Sequence, residues 1–134
     1  MPIAANLVTK KADGVTDQTL VLVKAAAGDS APAMWRIEAG FALPSAMPTV
    51  TVRSRSNGPG TARRTEIELT YPYVLVSSAD QSVRVVSQVV IKGNSVLVPL
   101  NVPQSIVNEA VALFQGVMAS AMIRDTLRSG YAPT

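Results

Sequence analysis

The sequence predicts an α+β chain, with β-strands over its first three quarters and two helices over its last. Three observations carry this. Residues 49–56 (TVTVRSRS) and 63–71 (RRTEIELTY) alternate on either side of Asn57-Gly58-Pro59-Gly60, the strongest turn in the chain. Asp13-Gly14 separates two short β-prone runs near the N-terminus. From Ile106 onward, apolar residues recur at helical rather than strand spacing.

Taken in order, residues 6–11 and 18–24 make a hairpin around the Asp-Gly turn, giving a unit over 6–24. The stretch AAAGDSAPA (25–33) is a loop by its Gly, Asp, Ser and Pro content, and a third strand follows over 34–41. LPSAMP (43–48) carries two prolines and is another connection. On strand 49–56, Val50 and Val52 point one way while Thr51, Arg53 and Arg55 point the other. On 63–71, Ile67 and Leu69 share one face and Arg64, Glu66, Glu68 and Thr70 the opposite one. Two such strands around one turn form an antiparallel hairpin with an apolar and a polar face. VLVSSADQS (74–82) ends a strand and continues as a polar loop. Residues 83–100 are rich in β-branched side chains and are interrupted by Gly93-Asn94, either a bulge or a hairpin turn.

Pro103 and Ser105 open the helical part, which spans 105–128. Ser105 is placed to cap the first helix, and Glu109 lies early enough to meet its positive end. Ile106, Ala110, Leu113 and Val117 recur at helical spacing, and so do Val107, Val111, Phe114 and Met118. This apolar band is wide. It suits a helix packed on the chain's own sheet, or one that also packs against a second chain. Ser120 caps a shorter helix over 121–128, which stops before Gly130.

Composition narrows the function. The 134 residues are a normal size for one domain with one core, and 48% apolar content excludes a disordered chain. Only 16% of residues are charged, which suggests that partners cover part of the surface. With neither cysteine nor histidine, the chain can form no disulfide, thiolate metal site or histidine-based acid–base site. The net charge of +3 makes nucleic acid one possible partner. The first six residues lack the basic and apolar regions of a signal peptide, and no apolar run reaches the length of a membrane span.

Catalysis finds little support, and neither a cofactor nor a metal is expected. Glu66 and Glu68 share a strand face, but Arg63 and Arg64 are beside them and nothing supplies a nucleophile. A solvated face with cross-strand ion pairs accounts for them. Gly58-Pro59-Gly60 lacks the lysine and following helix of a phosphate loop. Thr51, Arg53, Arg55 and Arg64 share the polar face of the central hairpin. Arginine forks match phosphates, so this face either contacts nucleic acid or is simply solvated.

The order of elements resembles the coat proteins of the single-stranded RNA bacteriophages, the leviviruses, and especially their allolevivirus type. Gln18-Thr19-Leu20-Val21-Leu22 is similar to the second strand of that family's N-terminal hairpin. Val50-Thr51-Val52, the turn, Arg63-Arg64 and Pro72 resemble its paired central strands. Ser82-Val83-Arg84 resembles the start of its long last strand, and Ala119-Ser120-Ala121-Met122-Ile123-Arg124-Asp125 the junction into its last helix. The resemblance spans nearly the whole chain and rests on order and spacing.

It implies a single domain with an N-terminal β-hairpin, a five-stranded antiparallel sheet over 34–100 and two C-terminal helices. It also implies an intertwined homodimer whose two sheets join edge to edge into one continuous sheet, with each subunit's helices crossing its partner. Ile106, Ala110, Leu113, Phe114 and Val117 would then form the dimer interface. The dimers would assemble into an icosahedral shell around single-stranded RNA, in the cytoplasm of a bacterial host and without a membrane. In well-studied members the inner face also binds an operator hairpin and represses translation. Residue by residue, Thr51 matches a threonine of the family's adenine pocket, Lys92 stands where several members have a base-stacking tyrosine, and Asn94 matches a polar strand position. With Arg53, Arg55 and Arg64 they make the implied RNA-binding set. Glu66 and Glu68 depart from the family, which has threonine, glutamine or lysine there. Ser77, Ser78, Ala79, Asp80, Gln81 and Ser82 match the loop that joins dimers at the symmetry axes. The alternative is a small non-viral β-rich binding or scaffold module that binds no RNA.

Overall fold

A computed structural model describes residues 3–29, 31–41, 43–56, 58–76, 83–93 and 95–134. Among the described residues, seven strands lie in sequence order in one antiparallel sheet: β1 (Leu7–Lys10), β2 (Asp17–Lys24), β3 (Ala33–Arg36), β4 (Thr49–Ser56), β5 (Arg63–Val76), β6 (Val83–Lys92) and β7 (Ser95–Leu97). Two helices follow, α1 (Gln104–Met118) and α2 (Ala121–Ser129). The first half of β2 pairs with β1, Leu7 opposite Leu20, and its second half pairs with β3, Leu22 opposite Trp35. The chain is therefore a five-stranded sheet, β3 to β7, with an N-terminal hairpin hinged onto its β3 edge.

The central register places apolar residues opposite apolar ones. Val50 faces Leu69 and Val52 faces Ile67 across β4 and β5, and Leu69 faces Ile91 across β5 and β6. All five are buried. Helix α1 lies over β1, β5 and β6, and its Ala110, Leu113 and Val117 are fully buried there. Trp35 is the largest fully buried side chain, and its ring N–H donates to the Ala5 carbonyl at 2.7 Å. That bond satisfies the indole's polar edge and ties the N-terminal segment to β3. Where α1 crosses β1 the approach is close. A Cβ on Gly116 would sit 2.8 Å from the Thr9 Cβ, so only glycine fits this crossing.

Several boundaries differ from the sequence-based expectation, each for a local reason. The third strand stops at Arg36 instead of running to residue 41, because the chain turns at Ala39-Gly40, where Gly40 has φ +85°. Strand β5 runs on through Pro72 to Val76. Its pairing with β4 ends at Thr70, so Pro72 sits where the strand has a neighbour on one side only, as a residue without an N–H requires. Helix α1 begins one residue earlier than expected and its N-cap is Pro103, so Ser105 lies inside the first turn and does not cap. Lys92 pairs with Ser95, so the chain reverses between them as a hairpin turn, not a bulge. The second helix is as expected at its start: the Ser120 hydroxyl accepts from the Ile123 N–H, and Gly130 closes the other end at φ +80°.

The β1–β2 turn is fastened by one side chain. Asp13 Oδ1 accepts from the Val15 and Thr16 N–H groups at 2.8 and 2.9 Å, and Oδ2 from the Thr16 hydroxyl at 2.6 Å. These bonds, the Thr16 hydroxyl first, hold the Asp13 carboxyl down at about 2, against 3.8 when unperturbed. A depressed carboxyl stabilises the fold fully above its unfolded value and loses that contribution as pH falls through the folded one. Asp13→Asn should therefore reduce the loss of melting temperature between about pH 4 and pH 2, measured by circular dichroism, and a slope equal to that of the parent chain would refute this role.

Candidate nucleic-acid interface

The sheet face turned away from α1 carries the polar half of each alternating strand. Its side chains stand in rows across the strands. Thr51, Glu68 and Lys92 form one row over β4, β5 and β6; Arg53 faces Glu66 in the next, and Arg55 faces Arg64 in the third. Parity brings Thr51, Arg53, Arg55, Arg64 and Lys92 together, and all but the half-buried Thr51 are exposed. The opposed Arg55 and Arg64 would repel, but Glu66 lies 3.3 Å from the first and 3.9 Å from the second. That leaves Arg53, Lys92 and Glu68 without an ion-pair partner among the described residues. In these three rows four cations stand against two carboxylates, a net positive balance.

A groove of about 440 Å³ opens at the edge of β5, lined by Arg64, Glu66, Glu68, Lys92 and Gly93 from the polar face and turn, and by Thr65 and Ile67 from the other face. It exists because β6 ends at Lys92 while β5 extends to Arg63, so among the described residues no strand pairs with 63–67 on that side. Cationic and anionic groups thus line an open notch.

Arg63, next to Arg64 in sequence, belongs to the other face and to a different task. Its Nε donates to the Gly130 carbonyl at 2.7 Å, and its terminal nitrogens donate to Asp29 Oδ1 at 2.7 Å and Ser56 Oγ at 3.0 Å. The guanidinium lies 3.9 Å from the centroid of the Tyr131 ring. The Ser54 hydroxyl, buried beside it, accepts from the Ala132 N–H at 2.8 Å. The Arg63 guanidinium, and then the Ser56 N–H, hold the Asp29 carboxyl below the usual carboxylate range. Sequence reasoning did not find this cluster. Parity alone separates Arg63 from Arg64, but its partners lie 34 and 67 residues away.

No protein-family profile matches the sequence, and no curated protein matches it. Solved structures do. The virus-like particle of Beihai levi-like virus 21 superposes with a TM-score of 0.55 at 18% identity, covering 96% of this chain and 95% of that one. The virus-like particle of bacteriophage NT-214 gives 0.55 at 15% identity over 98% of both chains. The bacteriophage EMS014 coat protein gives 0.53 at 16% identity, over 99% of this chain and 100% of that one. The chain has the levi-like phage coat-protein fold.

Within this coat fold the five helix positions expected at a dimer interface divide into two groups. Ala110, Leu113 and Val117 are fully buried against the chain's own sheet, which accounts for three of the eight positions of the wide apolar band. Ile106 and Phe114 are half-buried at its margin, and Val111 is exposed. The second open apolar region is a sheet edge. Among the described residues, β7 pairs only with Val90, Ile91 and Lys92 of β6, and no strand pairs with residues 83–89 on that side. Val85 of β6, Leu97 of β7, and Val98 and Leu100 just after it are exposed. Asn94 of the implied RNA set and Ser77, Ser78, Ala79, Asp80, Gln81 and Ser82 of the implied inter-dimer loop lie outside the described residues.

Because Arg63 and Arg64 face opposite ways, their removal should separate cleanly. Arg63→Met should lower the melting temperature by releasing Asp29 and the 130–132 segment, whereas Arg64→Met should leave it unchanged; equal effects in thermal melts would contradict the assignment.

Proposed function

We propose that this chain is a capsid subunit that forms homodimers, which assemble into an icosahedral shell around single-stranded RNA. The observation that carries the reading is the coat fold with one sheet face sealed by α1 and the other left bare and net cationic. A helix on one face only is what a shell wall needs when its inner surface must meet a polyanion. The role is structural rather than enzymatic. Its place is the virion, built in the cytoplasm of a bacterial host.

Dimerisation rests on the open edge of β6. Residues 83–89 offer unpaired backbone groups beside exposed Val85, Leu97, Val98 and Leu100, a surface that a second copy completes by extending the sheet. Ile106 and Phe114 contribute the apolar surface that α1 keeps free of its own sheet. Ser77–Ser82 then serve as contacts between dimers.

The RNA reading rests on Thr51, Arg53, Arg55, Arg64, Lys92 and Asn94, extended to an operator hairpin that would make the subunit a translational repressor. Arg53 and Lys92 have no carboxylate partner among the described residues, so they meet RNA at least cost. Electron microscopy of purified protein, with its absorbance ratio at 260 and 280 nm, tests the shell and its cargo together; a monodisperse particle-free chain devoid of nucleic acid would overturn the reading. In filter binding of dimers to RNA, Arg53→Ala with Lys92→Ala should reduce the slope of log affinity against log salt by about two phosphate contacts' worth. Arg55→Ala should change it less, because Glu66 already holds that charge.

A further inference from the structure

We infer that Glu68 is a base-reading residue that selects an unpaired guanine. The inference rests on the RNA reading of this face and names what the face prefers. A free carboxylate on a surface that receives phosphates is repelled by them unless it accepts hydrogen bonds from the ligand. Glu66 avoids that repulsion through Arg55 and Arg64. Glu68 has no ion-pair partner among the described residues, and it lines the notch beside β5. It is half-buried, which limits its hydration. Among the described residues no group, the opposed Lys92 included, donates a hydrogen bond to it, and an RNA base can supply one.

The bases differ in how they can do so. Guanine alone carries two adjacent donors on its Watson–Crick edge, N1–H and N2–H, which match the two oxygens of a carboxylate side by side. Adenine and cytosine offer an amino group next to a ring nitrogen acceptor, and uracil offers one N–H between two carbonyls, so each would set an acceptor against the carboxylate. The neighbours of Glu68 strengthen the choice. Lys92 stands opposite it on β6 and Thr51 opposite it on β4. Adjacent strands are about 4.8 Å apart, so the row presents an ammonium donor, a carboxylate and a hydroxyl in sequence. Guanine's edge presents O6, N1–H and N2–H₂ in the same sequence: O6 accepts from Lys92, N1–H and one N2–H donate to Glu68, and the second N2–H is turned toward Thr51. The edge is free only in a loop or single strand, where sequence-specific RNA recognition concentrates. The notch, open on its β6 side below Lys92, gives the base room to lie against β5.

Fluorescence anisotropy with labelled 12-nucleotide oligouridines, carrying one central guanine, adenine or inosine, tests this on the purified protein at fixed salt. The guanine strand should bind about tenfold tighter than the adenine strand, in the range of one good bidentate base contact. Inosine keeps O6 and N1–H but lacks the N2 amino group, and should lose most of that advantage. In Glu68→Gln, the ratio of guanine to adenine affinity should fall to near one, whatever the absolute affinities become. Equal binding of guanine and adenine strands by the parent protein overturns the inference while leaving the RNA face intact. So does a guanine preference that survives in Glu68→Gln. If no strand binds at all, the RNA reading of the face fails and this inference with it.

Discussion

The pairing of β4 with β5 is the constraint on which the rest of the molecule depends. Val50 opposite Leu69 and Val52 opposite Ile67 fix the register, and strand geometry then assigns every other side chain of the central sheet to a face. A slip of β4 by one residue against β5 would turn Arg53 and Arg55 toward the core and send Val50 and Val52 into water. The burial of two arginines makes that alternative prohibitive. One register thus creates both the apolar floor on which α1 rests and the ionic face opposite.

That constraint also explains what was legible in the sequence. The alternation in residues 49–56 and 63–71 displayed the two faces directly, and the structure keeps β4 at Thr49–Ser56. The helical spacing of Ile106, Ala110, Leu113 and Val117 announced α1 equally well, because amphipathic periods survive in any context. What could not be read depended on neighbours. The alternation over 63–71 stopped short of Pro72, yet β5 continues through it because β4 has already stopped. Ser105 looked like a cap, but Pro103 already supplies the extended residue before the helix. On the candidate site, parity was sufficient to gather Thr51, Arg53, Arg55 and Arg64. It could not show that Glu66 neutralises two of those arginines, since ion pairing is decided by rotamers and distances.

Arg63 gives the architecture a second point of closure. Through Gly130, Asp29 and Tyr131 it joins β5, the loop between β2 and β3, and the segment after α2. Close by, the Ala26 N–H donates to the Pro133 carbonyl and the Ala4 N–H to the Thr134 carbonyl, each at 2.8 Å. Segments far apart in sequence are thereby pinned to one corner of the sheet. The hairpin β1–β2, which otherwise hangs from β3 by half a strand, is held from this corner and from the Thr9–Gly116 crossing at once.

The bare edge of β6 has a kinetic meaning beyond its geometry. Residues 83–89 are mostly valine, contain no proline and carry one charge, Arg84, so nothing on this strand discourages another from pairing with it. Such an edge is satisfied by whichever strand arrives first. Newly made chains at low concentration have time to complete their folding before they collide. At high synthesis rates, incompletely folded chains meet this edge while their own hydrophobic strands are still uncovered, and folding competes with amorphous aggregation. The yield of correctly folded chain is then governed by the rate of chain supply as much as by the stability of the fold.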